Sequence, residues 1–310
     1  MNRDALTADE VADILQIGRN RVYELAKEGV ISSYKIGRKL RFTYSDVQAY
    51  IASSHQPTRQ GSKSVPTPAA AQERSKEEQF VLCGQNVMLD VLANYLNQED
   101  VPAVRSYADC FDSLLLLYKG QVHAADAHIW DGDSGEYNIP TIKRLLPGVP
   151  VVVVRLMSRM EGLIVAKGNP KGVTSWEDLA RSDVVLINQK RGADTRILLD
   201  EHLRVLGIDP QTVQGYDSEP LSRITSAAAI AHGKADVTVS SEKIARQVDG
   251  VEFIPLHEGH VDLVLHRERF ESSYGQKMMD ILESDILRED FEGVNGYDVS
   301  DTGRIVWMSY

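Results

Sequence analysis

The chain is poor in cysteine. Cys83 and Cys110 have no metal-ligand spacing and are too few for a disulfide framework, so free thiols in a reducing, cytoplasmic setting are expected. Long apolar runs are also missing: the longest, residues 114–117 and 149–154, are the size of a strand or a core helix and far short of a membrane span. Met1-Asn2-Arg3-Asp4 leads straight into a polar amphipathic pattern, with no apolar signal core and no small-residue cleavage site. No phosphate-loop or dinucleotide fingerprint occurs, so no cofactor is called for. Ser240-Ser241-Glu242-Lys243 has the wrong spacing for a Ser-x-x-Lys nucleophile, and Cys110 has no activating histidine near it in sequence. His123, His128 and Asp131 invite a metal reading. However, His123 and His128 lie five apart on one strand and face opposite sides, which favours structural roles.

What is present is an ordinary globular composition, 43% hydrophobic and 25% charged, in 310 residues, long enough for two or three compact units. The net charge of −11 is unevenly spread. Residues 1–53 hold eight Lys/Arg against seven Asp/Glu, and the bases cluster at Arg19, Arg21, Lys27, Lys35, Arg38, Lys39 and Arg41. A basic face on an acidic protein points to one dedicated polyanion-binding surface.

Within residues 1–53, Thr7-Ala8-Asp9-Glu10 has the pattern of a capping box. A helix carrying Val11, Ala12, Ile14 and Leu15 is expected to follow, then a turn at Ile17-Gly18, then a second helix from Arg19-Asn20 that ends at Gly29. Two short helices around a tight turn make a helix-turn-helix. Arg19, Asn20, Arg21 and Tyr23 fall where the second helix meets bases and phosphates. Residues 33–42 alternate about Gly37-Arg38 like a hairpin, and its basic residues Lys35, Arg38, Lys39 and Arg41 read as a wing on the phosphate backbone. Thr43-Tyr44-Ser45-Asp46 is expected to cap a third helix over 47–51. Residues 54–78, rich in Ser, Pro, Gln and Ala, read as a flexible linker.

From Phe80 onward, strand and helix patterns alternate: strands over 80–84, 101–106 and 122–128, with helices over 86–96 and 112–119 between them. Extended runs at 148–155 and 162–165 lead to a second block. That block has a helix start at Trp176, an apolar run Val184-Val185-Leu186-Ile187, a helix over 197–206, another over 224–232 and a strand over 235–239. Runs at 251–255 and 261–265 read as the return path. The run 184–187 reads as a strand buried on both faces, passing through a Gly192 turn into a helix whose free N–H groups suit an anion or a polar ligand head. The alternative is a plain β-turn-α connection in which Asp194 and Thr195 serve only the helix. The expected architecture is α/β: lobe 1 at about 79–160 plus 256–310 and lobe 2 at about 161–255, a clamshell with its ligand between the lobes.

Two resemblances follow. Leu6-Thr7-Ala8-Asp9-Glu10-Val11-Ala12, Arg21-Val22-Tyr23-Glu24-Leu25 and Ile36-Gly37-Arg38-Lys39-Leu40-Arg41-Phe42 resemble the excisionase-type winged helix-turn-helix, related to the MerR DNA-binding domain. Val122 to His128, Gly135-Glu136-Tyr137-Asn138, residues 162–172, residues 188–196, and Gly296-Tyr297-Asp298 with Thr302-Gly303-Arg304 resemble the periplasmic-binding-protein-like domain that is fused to such heads. That domain is similar to type 2 receptors such as molybdate-binding proteins. Together the resemblances imply an N-terminal winged helix-turn-helix plus a bilobal type 2 α/β clamshell. The function implied is that of a one-component transcriptional regulator, with operator DNA, a small polar ligand and a second copy of the chain as partners and no membrane. The implied ligand turns are Gln85 and Asn86; Cys110, Asp112 and Ser113; and Arg191, Gly192, Ala193, Asp194, Thr195 and Arg196, with Asp126, Tyr216 and Asp236 beside them. The chain departs from the family in carrying Asp112, Asp126 and Asp194 where small residues are usual. The carboxylates favour a cation, an amine or a polyol over molybdate or tungstate, unless Asp112 and Asp194 are helix caps. The alternative function is a cytoplasmic enzyme that uses the interlobe cleft, with the head serving recruitment.

Overall fold

The computed structural model describes residues 6–8, 11–12, 19–27, 31, 33–36, 39–42, 79–220, 222–292 and 296–309. The chain divides into two compact units, Met1–Thr67 and Pro68–Tyr310. In the first, helix α1 (Arg19–Lys27) and the antiparallel strands β1 (Tyr34–Ile36) and β2 (Lys39–Arg41) surround a small core. Ala8, Val11, Ala12, Val22, Leu25, Ile31 and Phe42 fill it, and Leu6 bridges Phe42 at its edge. The Gly29 cap, the Gly37-Arg38 tip, the third helix and the linker at 54–78 lie outside the described residues.

The second unit opens with β3 (Phe80–Cys83), α2 (Val87–Gln98), β4 (Ala103–Ser106), α3 (Cys110–Tyr118) and β5 (Ala124–Ala127). Asn86 caps α2 by accepting from the Met88 N–H at 2.8 Å, and Met88, Leu89, Leu92, Ala93 and Leu96 form its buried stripe at helical spacing. The short hairpin β6 (Trp130–Asp131) and β7 (Glu136–Tyr137) follows, then α4 (Ile139–Leu145) and the 16-residue β8 (Val151–Ala166). Beyond β8 come α5 (Asp194–Leu206), α6 (Arg223–Ala231), β9 (Val237–Ser241), α7 (Glu242–Ala245) and a second 16-residue strand, β10 (Val251–His266). The chain closes with α8 (Arg267–Glu271), α9 (Ser273–Leu282), α10 (Asp285–Glu292) and β11 (Ile305–Met308).

One mixed sheet runs in the order β11-β8-β10-β5-β3-β4, with β9 on the far part of β8. The pairs β3–β4 and β3–β5 are parallel, and β8, β9, β10 and β11 pair antiparallel. At roughly 3.3 Å per residue, β8 and β10 each reach on the order of 50 Å, long enough to serve two lobes. Their near halves pack in the first lobe around Leu82, Val154 and Leu263. Their far halves pack in the second lobe around Leu163, Val165 and Val239. Near the crossing the ladder slips its register between Pro255 and His257 and again between Val261 and Asp262. Gly162 permits this approach, because a Cβ there would lie 2.0 Å from the Ile254 carbonyl oxygen.

The structure differs from the sequence reading at two places. The run 184–187 is not a strand buried on both faces: only Leu186 bridges Val237, and Val185 is 37% exposed. On its other side the segment meets the irregular turn after Val213, with Leu186 N donating to Gln214 O, so no second ladder forms. The β6–β7 hairpin falls within the first lobe by sequence, yet Trp130 and Tyr137 sit in the core of the second. The His202 ring of α5 is stacked between Trp130 and Trp176, at 4.1 and 4.2 Å. Gly132 N donates to Glu201, and Asp133 pairs with Arg204. Asn138, at φ 62°, turns the chain back and is held by Asp262 and the Ile129 N–H. The hairpin therefore straps the first lobe to α5.

Candidate ligand-binding cleft

The cleft lies where the carboxyl ends of β3 and β5 face the start of α5, with the crossing strands as its floor. Its volume is about 280 Å³. On the first wall, Asp126 of β5 reaches under the turn that follows β3. One carboxylate oxygen accepts from the backbone N–H of Gln85 at 3.0 Å and of Asn86 at 3.1 Å. Only glycine fits at position 84, whose Cβ would lie 2.1 Å from the Asp126 carboxylate carbon and whose φ is +138°. Burial pushes the Asp126 carboxyl up to about 6 and nearby Asp194 adds to this, against the two backbone N–H donors. Beside it, Asp109 is held by Lys190 at 2.7 Å. The Cys110 sulfur accepts from the His128 backbone N–H at 3.1 Å, and burial raises its thiol well above the ordinary range.

The floor and second wall are an ion-pair chain. Arg159, on β8, donates to Glu161 at 2.5 Å and to Asp194 at 2.7 Å. Asp194 also pairs with Arg223, at the start of α6, and accepts from the Thr195 N–H at 2.8 Å. Burial alone would raise the Asp194 carboxyl, but the Arg223 and Arg159 guanidinium groups outweigh it and hold the carboxyl well below the usual range. Glu161 follows the same balance: it is fully buried, yet Arg159 and His128, the latter at 3.1 Å, keep its carboxyl low. At the rim Lys243 donates to the Tyr297 hydroxyl at 2.8 Å.

The cleft thus gathers Gln85, Asn86, Cys110, Asp126, Ala193 and Asp194 from the sequence reading. The remaining candidates lie elsewhere. Asp112 sits in the first turn of α3, where Asp109 and not Asp112 is the cap residue, and it does not line the cleft. Ser113 is buried behind the wall, its hydroxyl 2.8 Å from the Cys110 carbonyl oxygen. Arg191 is exposed beside the Gly192 turn, and the buried Thr195 hydroxyl has no hydrogen-bond partner among the described residues. Arg196 is only 2% exposed: it pairs with Asp200, donates to the Gln189 carbonyl and lies 4.1 Å over the Tyr216 ring. Tyr216 in turn donates to Asp200, and Asp236 accepts from the Val185 N–H. Both residues brace the second lobe. His123 accepts from the Val81 N–H and Asp131 pairs with Arg144, so neither turns towards His128. Among the described residues no group of three His, Cys, Asp or Glu is placed to hold a metal.

Arg159, Glu161 and Arg223 are absent from the sequence reading, and Lys243 enters it only within the rejected Ser240-to-Lys243 motif. The available signal was charge inside an apolar strand: Arg155, Arg159 and Glu161 interrupt the long run of β8. On the first unit, Arg19 donates to the Tyr23 hydroxyl at 3.2 Å, and Tyr23 is 40% exposed. Asn20 and Arg21 share the opening turn of α1; Lys35 lies on β1, and Lys39 and Arg41 on β2. Arg38 lies outside the described residues.

Comparison with known proteins agrees with this fold. Residues 93–283 match the family described as PBP superfamily domain, and residues 5–55 match a helix-turn-helix domain. The uncharacterized protein YvgK of Bacillus subtilis (strain 168) is 31% identical over 302 residues, covering 97% of each chain. Among solved structures, EhuB in complex with hydroxyectoine superposes with a TM-score of 0.52 at 14% identity, over 73% of this chain and 92% of its own. A substrate-binding protein with bound phosphate from Clostridium perfringens superposes with a TM-score of 0.51 at 13% identity, over 71% and 99%. At these identities the structural likeness is one of fold.

Proposed function

Because the chain belongs to the family of PBP superfamily domains and carries a helix-turn-helix domain ahead of that domain, we propose that it is a ligand-responsive DNA-binding transcriptional regulator. The observation that carries this reading is the union, in one chain, of a DNA-binding head and a charged cleft at the crossing of two long strands. In this reading Arg19, Asn20, Arg21 and Tyr23 face the major groove, and Lys35, Arg38, Lys39 and Arg41 grip the phosphates. A small polar molecule closes the lobes about β8 and β10, and closure shifts the spacing of two heads in a cytoplasmic homodimer. Binding rather than turnover suits the cleft: the Cys110 thiol is held protonated by burial, and its sulfur meets a backbone N–H rather than an imidazole.

The test is DNA affinity against salt, using fragments selected by the wild-type chain. Arg38→Ala with Arg41→Ala lowers affinity and reduces the log–log salt slope by about two. Unchanged affinity and slope remove the wing from the interface, and a chain that selects no DNA ends the regulator reading.

A further inference from the structure

The carboxylates of the cleft are almost all spoken for. Asp109 has Lys190, Asp194 has Arg159 and Arg223, and Glu161 has Arg159 and His128. Among the described residues Lys243, at the rim, meets the Tyr297 hydroxyl and ring and no carboxylate. Asp126 is the exception among the carboxylates. Its contacts are the Gln85 and Asn86 backbone N–H groups and, at 3.5 Å, the Ser113 hydroxyl; among the described residues no Lys or Arg pairs with it. It is 8% exposed and lines the cavity. Arg105 acts on it only at a distance, its guanidinium being held by Asp90 and by the Leu82 and Gly84 carbonyls. A buried carboxylate without a counter-ion in contact is costly, and a cation arriving from the cleft relieves that cost.

The same arrangement works against an oxyanion. Free N–H groups at a helix start are the usual donors for phosphate-like ligands. Here the pair ahead of α2 already donates to Asp126, and the first N–H groups of α5 are faced by Asp194, to which Thr195 N donates. The guanidinium groups that face the cleft are engaged by Asp194 and Glu161. A tetrahedral oxyanion would find these backbone and guanidinium donors taken and two carboxylates in its place, with the Lys243 ammonium at the rim as the cation no carboxylate holds among the described residues.

We propose that the cleft selects a small ligand carrying a protonated amine, seated against the unpaired Asp126 carboxylate, and rejects tetrahedral oxyanions. This deepens the ligand-sensing reading and rests on it. The ammonium group takes the position opposite the two backbone N–H donors, so that Asp126 is held by dipoles on one side and by the ligand charge on the other. Gly84 is part of the same device, since any side chain there would push the carboxylate out of position.

The test is a thermal-shift titration of the full chain with ethanolamine, putrescine and glycine as amine probes, and with inorganic phosphate and molybdate as oxyanion probes. The expected result is a saturable rise in Tm with at least one amine and none with either oxyanion. Asp126→Asn loses the amine response. Asp126→Ser, which frees the Gln85 and Asn86 N–H pair, gains a response to phosphate or molybdate. An oxyanion response in the wild-type chain without an amine response overturns this proposal and leaves the sensor reading standing, as does an amine response that survives Asp126→Asn. Silence towards every probe, in wild type and in Asp126→Ser, counts against the sensor reading itself and takes this proposal with it.

Discussion

Replacing Asp126 with asparagine separates the electrostatic burden of this residue from its shape. The amide has nearly the same volume, and its oxygen can still accept from the Gln85 and Asn86 N–H groups. In the native chain burial moves the carboxyl from 3.8 to about 6. A carboxyl raised in the folded state favours folding when protonated. Its contribution is therefore fully present below the unfolded value of 3.8 and is lost as pH rises through about 6. The lost contribution is about 3 kcal/mol, from the size of that shift. For a unit of this size that corresponds to about 6–12 °C in Tm. The assay is calorimetric Tm against pH for both proteins without ligand, read as the difference between the two curves, which cancels the other carboxyls. Asp126→Asn should match wild type near pH 4 and gain on it steadily to pH 7. A difference that does not change with pH, or a variant less stable than wild type at pH 7, would refute the assignment of an ionised, unpaired carboxylate at this position.

Three further outcomes are expected. Asp194→Asn at pH 7 lowers stability by about 2–4 kcal/mol, because it leaves Arg159 and Arg223 facing a neutral group. The Asp194 carboxyl is held low in the folded state, so this loss shrinks as pH falls below the ordinary carboxylate range; urea melts at pH 7 and pH 3.5 check it. Gly84→Ala destabilises by about 2–4 kcal/mol through its strained φ and its collision with Asp126; the same change in an Asp126→Gly background costs less, as a double-mutant cycle would read out. Trp130→Ala costs about 3–5 kcal/mol and loosens the hairpin strap, so amide exchange should quicken across 130–137 and in the α5 segment it covers.

Much of the framework is legible from local pattern. Asn86 followed by an apolar stripe, Ser222 ahead of an Ala-rich run and the Gly207 that ends α5 are start and stop signals that act within a few residues. The cleft side of the Cys83-Gly84-Gln85-Asn86 turn is legible for the same reason: a glycine between a strand and a capped helix brings backbone donors to a sheet edge. Val184 to Ile187 shows where such reasoning ends. Apolar content marked it as a central strand, but whether a ladder forms depends on what lies beside it: one side offers a single bridge to Val237 and the other the irregular turn after Val213. Arg196 misleads in a related way. It follows the Gly192 turn like a ligand residue, yet its helical position aims it at Asp200 and Tyr216 inside the lobe.

By itself the order of residues determined the α/β alternation, the helix-turn-helix pattern of the head and the glycine turns that bring polar groups to one sheet edge. Each of these is a property of short stretches whose backbone preferences act locally. Tertiary structure alone decided which charges meet. Arg159 and Asp194 are 35 residues apart, and Asp194 and Arg223 are 29 apart. They converge because β8 runs through both lobes and delivers its one cleft-facing guanidinium to the mouth of α5. Ion pairing depends on distance through space and on exclusion of water, and neither is encoded in spacing along the chain. For that reason the sequence could place carboxylates near a cleft, but only the fold showed that Asp194 is neutralised and Asp126 is not.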